Sequence, residues 1–278
     1  MTDLSDLQLD KWPSPVEPDQ RRVGLRIALV VVVLGALGGG GYYWLRHRAQ
    51  PAPSDVRAHT EQPVADRSAP KPAAESGDVI DLPPLPQTDA IVRQLVSGLS
   101  THPAAASWLA GEQLVRNFVV SVSNIAGGRT PSPQLSRLRP TQKFQVRGTG
   151  ADLSIDPRSY ARYNIYGDAV SALDARGAAR LYATLKPRIH DAFRELGQPD
   201  DDFDRVMGRA IDELLATPVL EGRVALASKS VSYEFADSRI QSLSSAQRQL
   251  LRMGPRNVKL IQAKLREIAP LIGITPTR

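Results

Sequence analysis

The chain has 278 residues, is 42% hydrophobic and 23% charged, and contains no cysteine. That composition excludes a polytopic membrane protein and an acidic disordered chain, and it removes disulfides, thiolate zinc sites, iron–sulfur clusters and thiol nucleophiles. The net charge of +6 is local: residues 1–77 carry 9 basic and 9 acidic side chains, whereas 239–278 carry 8 basic ones and a single acidic one, Glu267.

A short tail over 1–26, read as cytoplasmic, precedes the apolar run IALVVVVLGALGGGGYYWL at 27–45, which holds 19 residues without a charge. At about 1.5 Å per residue this run reaches roughly 28 Å, close to the hydrocarbon thickness of a bilayer. Arg21, Arg22 and Arg26 flank one end and Arg46 and Arg48 the other, with Tyr42, Tyr43 and Trp44 placed as a membrane-interface belt. The reading is one transmembrane helix whose partner is the lipid bilayer. A cleaved signal peptide is the rival, opposed by the acidic tail and by bulky aromatics where a cleavage site wants small residues. Four basic residues before the run (Lys11, Arg21, Arg22, Arg26) face three after it (Arg46, Arg48, Arg57), which favours N-in. The expected location is the bacterial inner membrane, with the C-terminal domain in the periplasm.

Residues 46–87 turn to Pro, Ala, Ser, Asp and Glu, with eight prolines and no aromatic residue between 46 and 86. Such a segment buries too little apolar surface to order itself and reads as a disordered stalk.

Residues 88–278 suffice for one globular core. Thr88 heads a helix with Ile91, Val92, Leu95 and Leu99 on one face; His102-Pro103 breaks the chain before a short helix around Trp108. Leu114, Val115, Phe118, Val119, Val122 and Ile125 mark an amphipathic helix stopped by Gly127-Gly128. Alternation at 144–146 and 153–155 around Gly148-Thr-Gly150 predicts a hairpin, and Asp156-Pro157 opens a helix carrying Tyr160 and Tyr163. Helical patterning resumes over 168–196, with a kink expected before Pro187, and again from Phe203 to Leu215. A second hairpin at 224–235, a short helix from Ser244 or Ser245 to Met253, a Gly254-Pro255 turn and a last helix from about Arg256 to Ala269 complete the chain. The expected fold class is mostly α with two small β-hairpins: one α-rich globular domain plus a single transmembrane helix.

Several stretches carry a resemblance: Leu82-Pro-Pro-Leu85, the helix holding Arg116, Phe118, Val119, Asn124 and Ile125, and Asp156-Pro157 before Tyr160 and Tyr163. Leu181-Tyr182 through Lys186-Pro187, Ala210-Ile211 and Leu214-Leu215 extend it, and SVSYEFAD at 230–237 and AQRQLLRMGPRNV at 246–258 are the most specific. Over roughly 83–269 the sequence resembles a bacterial family of unknown function, DUF3014. That resemblance implies membrane attachment and a helical domain, and it brings no activity, cofactor or catalytic residue.

Chemistry-bearing constellations are sparse. His47 and His59 lie by the apolar run and in the stalk, while His102 and His190 have no second ligand at helical spacing. Asp200, Asp202 and Asp204 imitate the start of a calcium loop, but the sixth position is Arg205 and the twelfth Ile211, so a helix cap fits better. No metal site or cofactor is expected. Tyr160, Tyr163 and Tyr166 fit a stacking strip or, more simply, a packed core face. Glu112, Glu195 and Glu234 are the candidates for a spatially assembled glycosidase pair.

The basic C-terminal helices are the leading site. Arg248, Arg252, Arg256, Lys259, Lys264 and Arg266 surround a helix–Gly-Pro–helix suited to an anionic partner, or form an ordinary solvated face. The expected function is a non-catalytic binding or scaffolding module for an unknown protein or anionic envelope polymer. The alternative is a membrane-tethered cytoplasmic nucleic-acid binder using 244–269 as a helix-turn-helix-like segment. An envelope glycan hydrolase is third.

Overall fold

A computed structural model describes residues 75–277 except 79, 101, 132, 198–201 and 231. The helices are α1 (Asp89–Ser97), α2 (Pro103–Leu109), α3 (Leu114–Ala126), α4 (Arg158–Ala161), α5 (Asn164–Ser171), α6 (Ala175–Arg194), α7 (Phe203–Leu215), α8 (Ser238–Gln241), α9 (Ser245–Leu251) and α10 (Pro255–Leu271). The strands are β1 (Val146–Arg147), β2 (Ser154–Ile155), β3 (Leu226–Lys229) and β4 (Ser232–Phe235).

The main core is built where periodic faces meet. α3 turns Phe118, Val119, Val122 and Ile125 inward against α7, whose Phe203, Val206, Met207, Ala210, Ile211 and Leu214 are all buried. Phe203 bridges the layers, its ring 5.9 Å from Phe118 and 5.3 Å from Phe193 of α6. Full burial of side chains of this size contributes about 2–3 kcal/mol each. α10 packs across α5, α6 and α7, burying Val258, Ile261, Leu265 and Ile268. It approaches α5 closely because position 167 is glycine: a Cβ there would stand 2.3 Å from Asn257 Oδ1.

A second, smaller core lies under the hairpins. β1 and β2 pair with Val146 opposite Ile155, and β3 and β4 with Leu226 opposite Phe235. A bridge between Ser154 and Ala225 stitches the hairpins together, with Ile155 N–H donating to Val224 O (3.0 Å) and Leu226 N–H to Leu153 O (2.9 Å). Leu153, Ile155, Val224, Leu226 and Phe235 pack on Leu251 of α9.

Three expectations change. The fold class is corrected to an α-rich domain with two small antiparallel hairpins: no helix among the described residues is long and apolar enough to cross a membrane. α6 is the longest at 20 residues, but Arg176, Arg180, Lys186, Arg188 and Asp191 interrupt every apolar run in it. The expected span at 27–45, its interface residues Arg21 to Arg48, and most of the expected stalk lie outside the described residues.

The end of that stalk packs on the domain. Leu82 and Leu85 join the main core, Glu75 N–H donates to Leu271 O (2.8 Å), and Asp78 N–H to Thr184 Oγ1 (2.9 Å). Proline makes such a strap possible, because it holds an extended chain without demanding ladder partners.

The pattern over 168–196 divides. α5 stops at Ser171 and Asp174 caps α6 by accepting from Arg176 N–H (3.1 Å), so two helices stand where one pattern runs. α6 then continues through Pro187 as a single helix.

Candidate functional site

The six basic residues of 244–269 do not form one surface. Arg248 turns back to donate to the carbonyls of Gln241 and Leu243, closing the loop before α9. Arg256 reaches Asp168 of α5, and Lys259 reaches Glu221. Lys264 is buried, its ammonium on Leu173 O (2.7 Å) and on Glu267 Oε2 (2.6 Å). Arg252 points inward over the Phe235 ring, 5.5 Å from its centroid. Of the six, Arg266 alone lies exposed with no ion pair among the described residues. Arg256, Lys259 and Lys264 thus tie the last helix to other parts of the domain, while Arg248 serves its own loop and Arg266 faces solvent.

The same holds for the carboxylates weighed as catalysts. Glu195 forms a two-pronged pair with Arg116 (2.6 and 2.8 Å), which holds its carboxyl below the usual glutamate range. Glu234 binds Lys229 across the second hairpin (2.8 Å). Glu112 is exposed, its carbonyl accepting from Asn117. Asp156 is 2% exposed and bound by its neighbour: the Arg158 side chain first, and then the Arg158 N–H, hold its carboxyl down at about 2.

The tyrosines follow the core reading. Tyr163 and Tyr166 are buried, and burial raises both phenols, Tyr166 to about 12; Tyr160 lies half-buried against Gly254. His102 is a helix cap, its Nδ1 accepting from Ala104 N–H (3.2 Å).

Two arrangements escape sequence reading. Tyr182, Lys186 and His190 recur every fourth residue along α6 and meet the start of α7. There ligand-type atoms of His190, Asp202 and Asp204 come within 4.8 Å of one another. Asp204 already accepts from Tyr182 Oη (2.5 Å) and Lys186 Nζ (2.5 Å), so this cluster locks α6 to α7. Asp202 does cap α7, accepting from Asp204 N–H (3.1 Å), as its position suggested; Asp200 lies outside the described residues. The i, i+4, i+8 spacing was visible in the sequence, but its partners were not.

The second is an open groove of about 590 Å³ where the hairpins meet the start of α10. Ile155, Pro157, Tyr160 and Pro255 supply an apolar floor, and Arg147 and Arg223 stand at its rim with Asp152. Arg223 pairs with Asp152 at 3.2 Å, both well exposed, and Arg147, which makes no ion pair within 4 Å among the described residues, adds to the positive field, led by Arg158, that lowers the Asp156 carboxyl. Gly148 (φ 76°) and Gly222 (φ 80°) adopt left-handed turns at its edge, a conformation that glycine reaches without strain.

This is a helical domain with a small stitched sheet, an arginine-rimmed groove, and carboxylates engaged by cations. The chain belongs to the family described as Protein of unknown function (DUF3014), whose model matches residues 114–269, more than half of its length. No curated protein and no solved structure shows a significant match to it.

Proposed function

We propose that the domain is a non-catalytic binding module for an anionic partner, and that it takes that partner in the groove between the hairpins rather than on its last helix. The observation that carries this reading is the pairing of an apolar floor, Ile155, Tyr160 and Pro255, with guanidinium groups at the rim, Arg147 and Arg223. Guanidinium forks suit carboxylate and phosphate oxygens, and a half-apolar floor adds buried area to charge recognition. An envelope protein or anionic envelope polymer fits such a groove. The periplasmic location belongs to this proposal, and a cysteine-free domain tolerates an oxidising compartment.

The competing readings have less to stand on. A helix-turn-helix reader needs a helix free to enter a groove of DNA, whereas α10 is packed by α5, α6 and α7 and has Lys264 buried. A glycosidase acid needs a carboxyl raised toward neutrality, and Glu195 is shifted the other way by Arg116.

The test is retention of the full chain on an immobilised polyanion at low salt, comparing wild type with Arg147→Glu/Arg223→Glu. A control, Arg176→Glu/Arg266→Glu, changes net charge equally at exposed positions away from the groove. Loss of retention in the groove variant alone supports the reading, and equal loss in both overturns it.

A further inference from the structure

The contact between α6 and α7 leaves one side chain out. Tyr182 and Lys186 both donate to Asp204, whereas His190, the next residue on their stripe, has its Nε2 buried with no hydrogen-bond partner among the described residues. A buried ring nitrogen in that state has lost its water and gained nothing in exchange. A ligand-type nitrogen of His190 and carboxylate oxygens of Asp202 and Asp204 nevertheless lie within 4.8 Å of one another, the one such convergence among the described residues. Three atoms so spaced leave a central point no more than about 2.8 Å from each, and bonds of about 2.0–2.2 Å to a small divalent ion require each to move inward by less than about 1 Å. Small side-chain rotations supply that shift.

The donor set selects a class of ion. One imidazole with two carboxylates suits a first-row transition ion such as Zn²⁺, whereas Ca²⁺ and Mg²⁺ take oxygen ligands. Asp202 accepts from Asp204 N–H through Oδ1, and Asp204 accepts from Tyr182 Oη through Oδ1. A carboxylate offers about four lone-pair directions, so both contacts can stay and aim the oxygens that ligate. Asp202 is exposed, so water can reach the site and complete the shell. Lys186 is the competitor, its ammonium 2.5 Å from Asp204 Oδ2. That side chain is 43% exposed, so its head can swing into water when a doubly charged ion arrives.

We infer that His190, Asp202 and Asp204 form a binding site for a divalent transition-metal ion, with the Lys186 ammonium holding the cation's place until the ion binds. The ligands come from the last turns of α6 and the start of α7, so the ion closes the connection between the two helices. This site is independent of the groove: none of its residues lines it.

The experiment is a thermal melt of the full chain, first stripped with a chelator, titrated with Zn²⁺ and in parallel with Mg²⁺ and Ca²⁺, with the histidine ring-proton resonances as a second readout. Zn²⁺ should raise Tm by about 3 °C or more once it is near ten times its Kd, and Mg²⁺ and Ca²⁺ should not. His190→Gln should abolish the increment, and it should fold, because the Nε2 it removes makes no hydrogen bond. His102→Gln, at the cap of α2, should keep the increment. Lys186→Met should tighten Zn²⁺ binding by about tenfold or more, since it removes the competing charge, whereas a lock with no metal role predicts no change in affinity. If Lys186→Met does not fold, the wild-type titration and the His190→Gln comparison still decide. No Zn²⁺ increment in wild type, an equal response to Mg²⁺, or an increment that persists in His190→Gln overturns the proposal. Binding confined to His47 or His59, seen as resonance shifts without a change in Tm, overturns it as well.

Discussion

The largely buried Lys264 side chain donates from its ammonium to the main-chain carbonyl of Leu173, 2.7 Å away, tying α10 to the turn that separates α5 from α6. A carbonyl at that turn has no helical donor of its own, so the lysine satisfies a buried acceptor while Glu267 balances its charge at the surface. Lys264→Ala should therefore destabilise the domain by about 2 kcal/mol, with Arg266→Ala, two residues on and exposed, within about 0.5 kcal/mol of wild type. Urea unfolding of the two variants side by side checks this.

Asp89 plays an analogous part at the other end of the fold. Its two carboxylate oxygens accept from the N–H groups of Gln113 (2.7 Å) and Leu114 (2.8 Å), capping α3 from α1 because Gln113 sits at φ 54° and makes no side-chain cap of its own. Asp89→Ala should cost about 1–2 kcal/mol. Its signature is early fraying of α3, read as faster amide exchange at Leu114 to Asn117.

Gly254 separates α9 from α10 at φ 85°, and a Cβ there would lie 2.4 Å from Cγ of Tyr160. Gly254→Ala meets a backbone penalty and a ring clash together, for a loss of about 3 kcal/mol. Gly150, also left-handed (φ 55°) but with open space around it, should lose only the backbone part when replaced by alanine, about 1 kcal/mol. The difference between the two variants in calorimetric Tm isolates the clash.

Asp156 predicts a pH dependence with a definite sign. Its carboxyl is held at about 2 in the folded chain against 3.8 ordinarily, chiefly by the Arg158 side chain. The stabilisation is therefore complete above pH 3.8 and is lost as pH falls toward 2. Asp156→Asn should show a smaller fall in Tm than wild type across that window, and parallel curves for the two proteins would contradict the assignment.

Much of the fold was legible. The α3 and α7 faces read correctly to their ends, since a periodicity of 3.6 bounded by Gly127-Gly128 or opened by Asp202 is a property of one contiguous segment. Both hairpins and the Gly254-Pro255 turn read for the same reason. The division of 168–196 at Ala172 to Asp174 did not, because the apolar pattern continues across the break, and the Leu173 carbonyl it frees finds its donor only in Lys264, 91 positions on. The strap over 75–87 was misread as stalk, because a few apolar residues among prolines reveal no core until Leu82 and Leu85 are set against α6.

The candidate site was legible as composition and illegible as geometry. Sequence alone determined that positive charge accumulates after residue 239 and that helices with apolar faces carry it. Only tertiary structure decided where each charge is spent. Asp168 meets Arg256 across 88 positions, and Thr184 meets Asp78 across 106. Periodicity is a local property of the chain, set by the backbone repeat of a single element. Whether a guanidinium meets a carboxylate, a ring or open water depends on which elements the burial of apolar faces brings together.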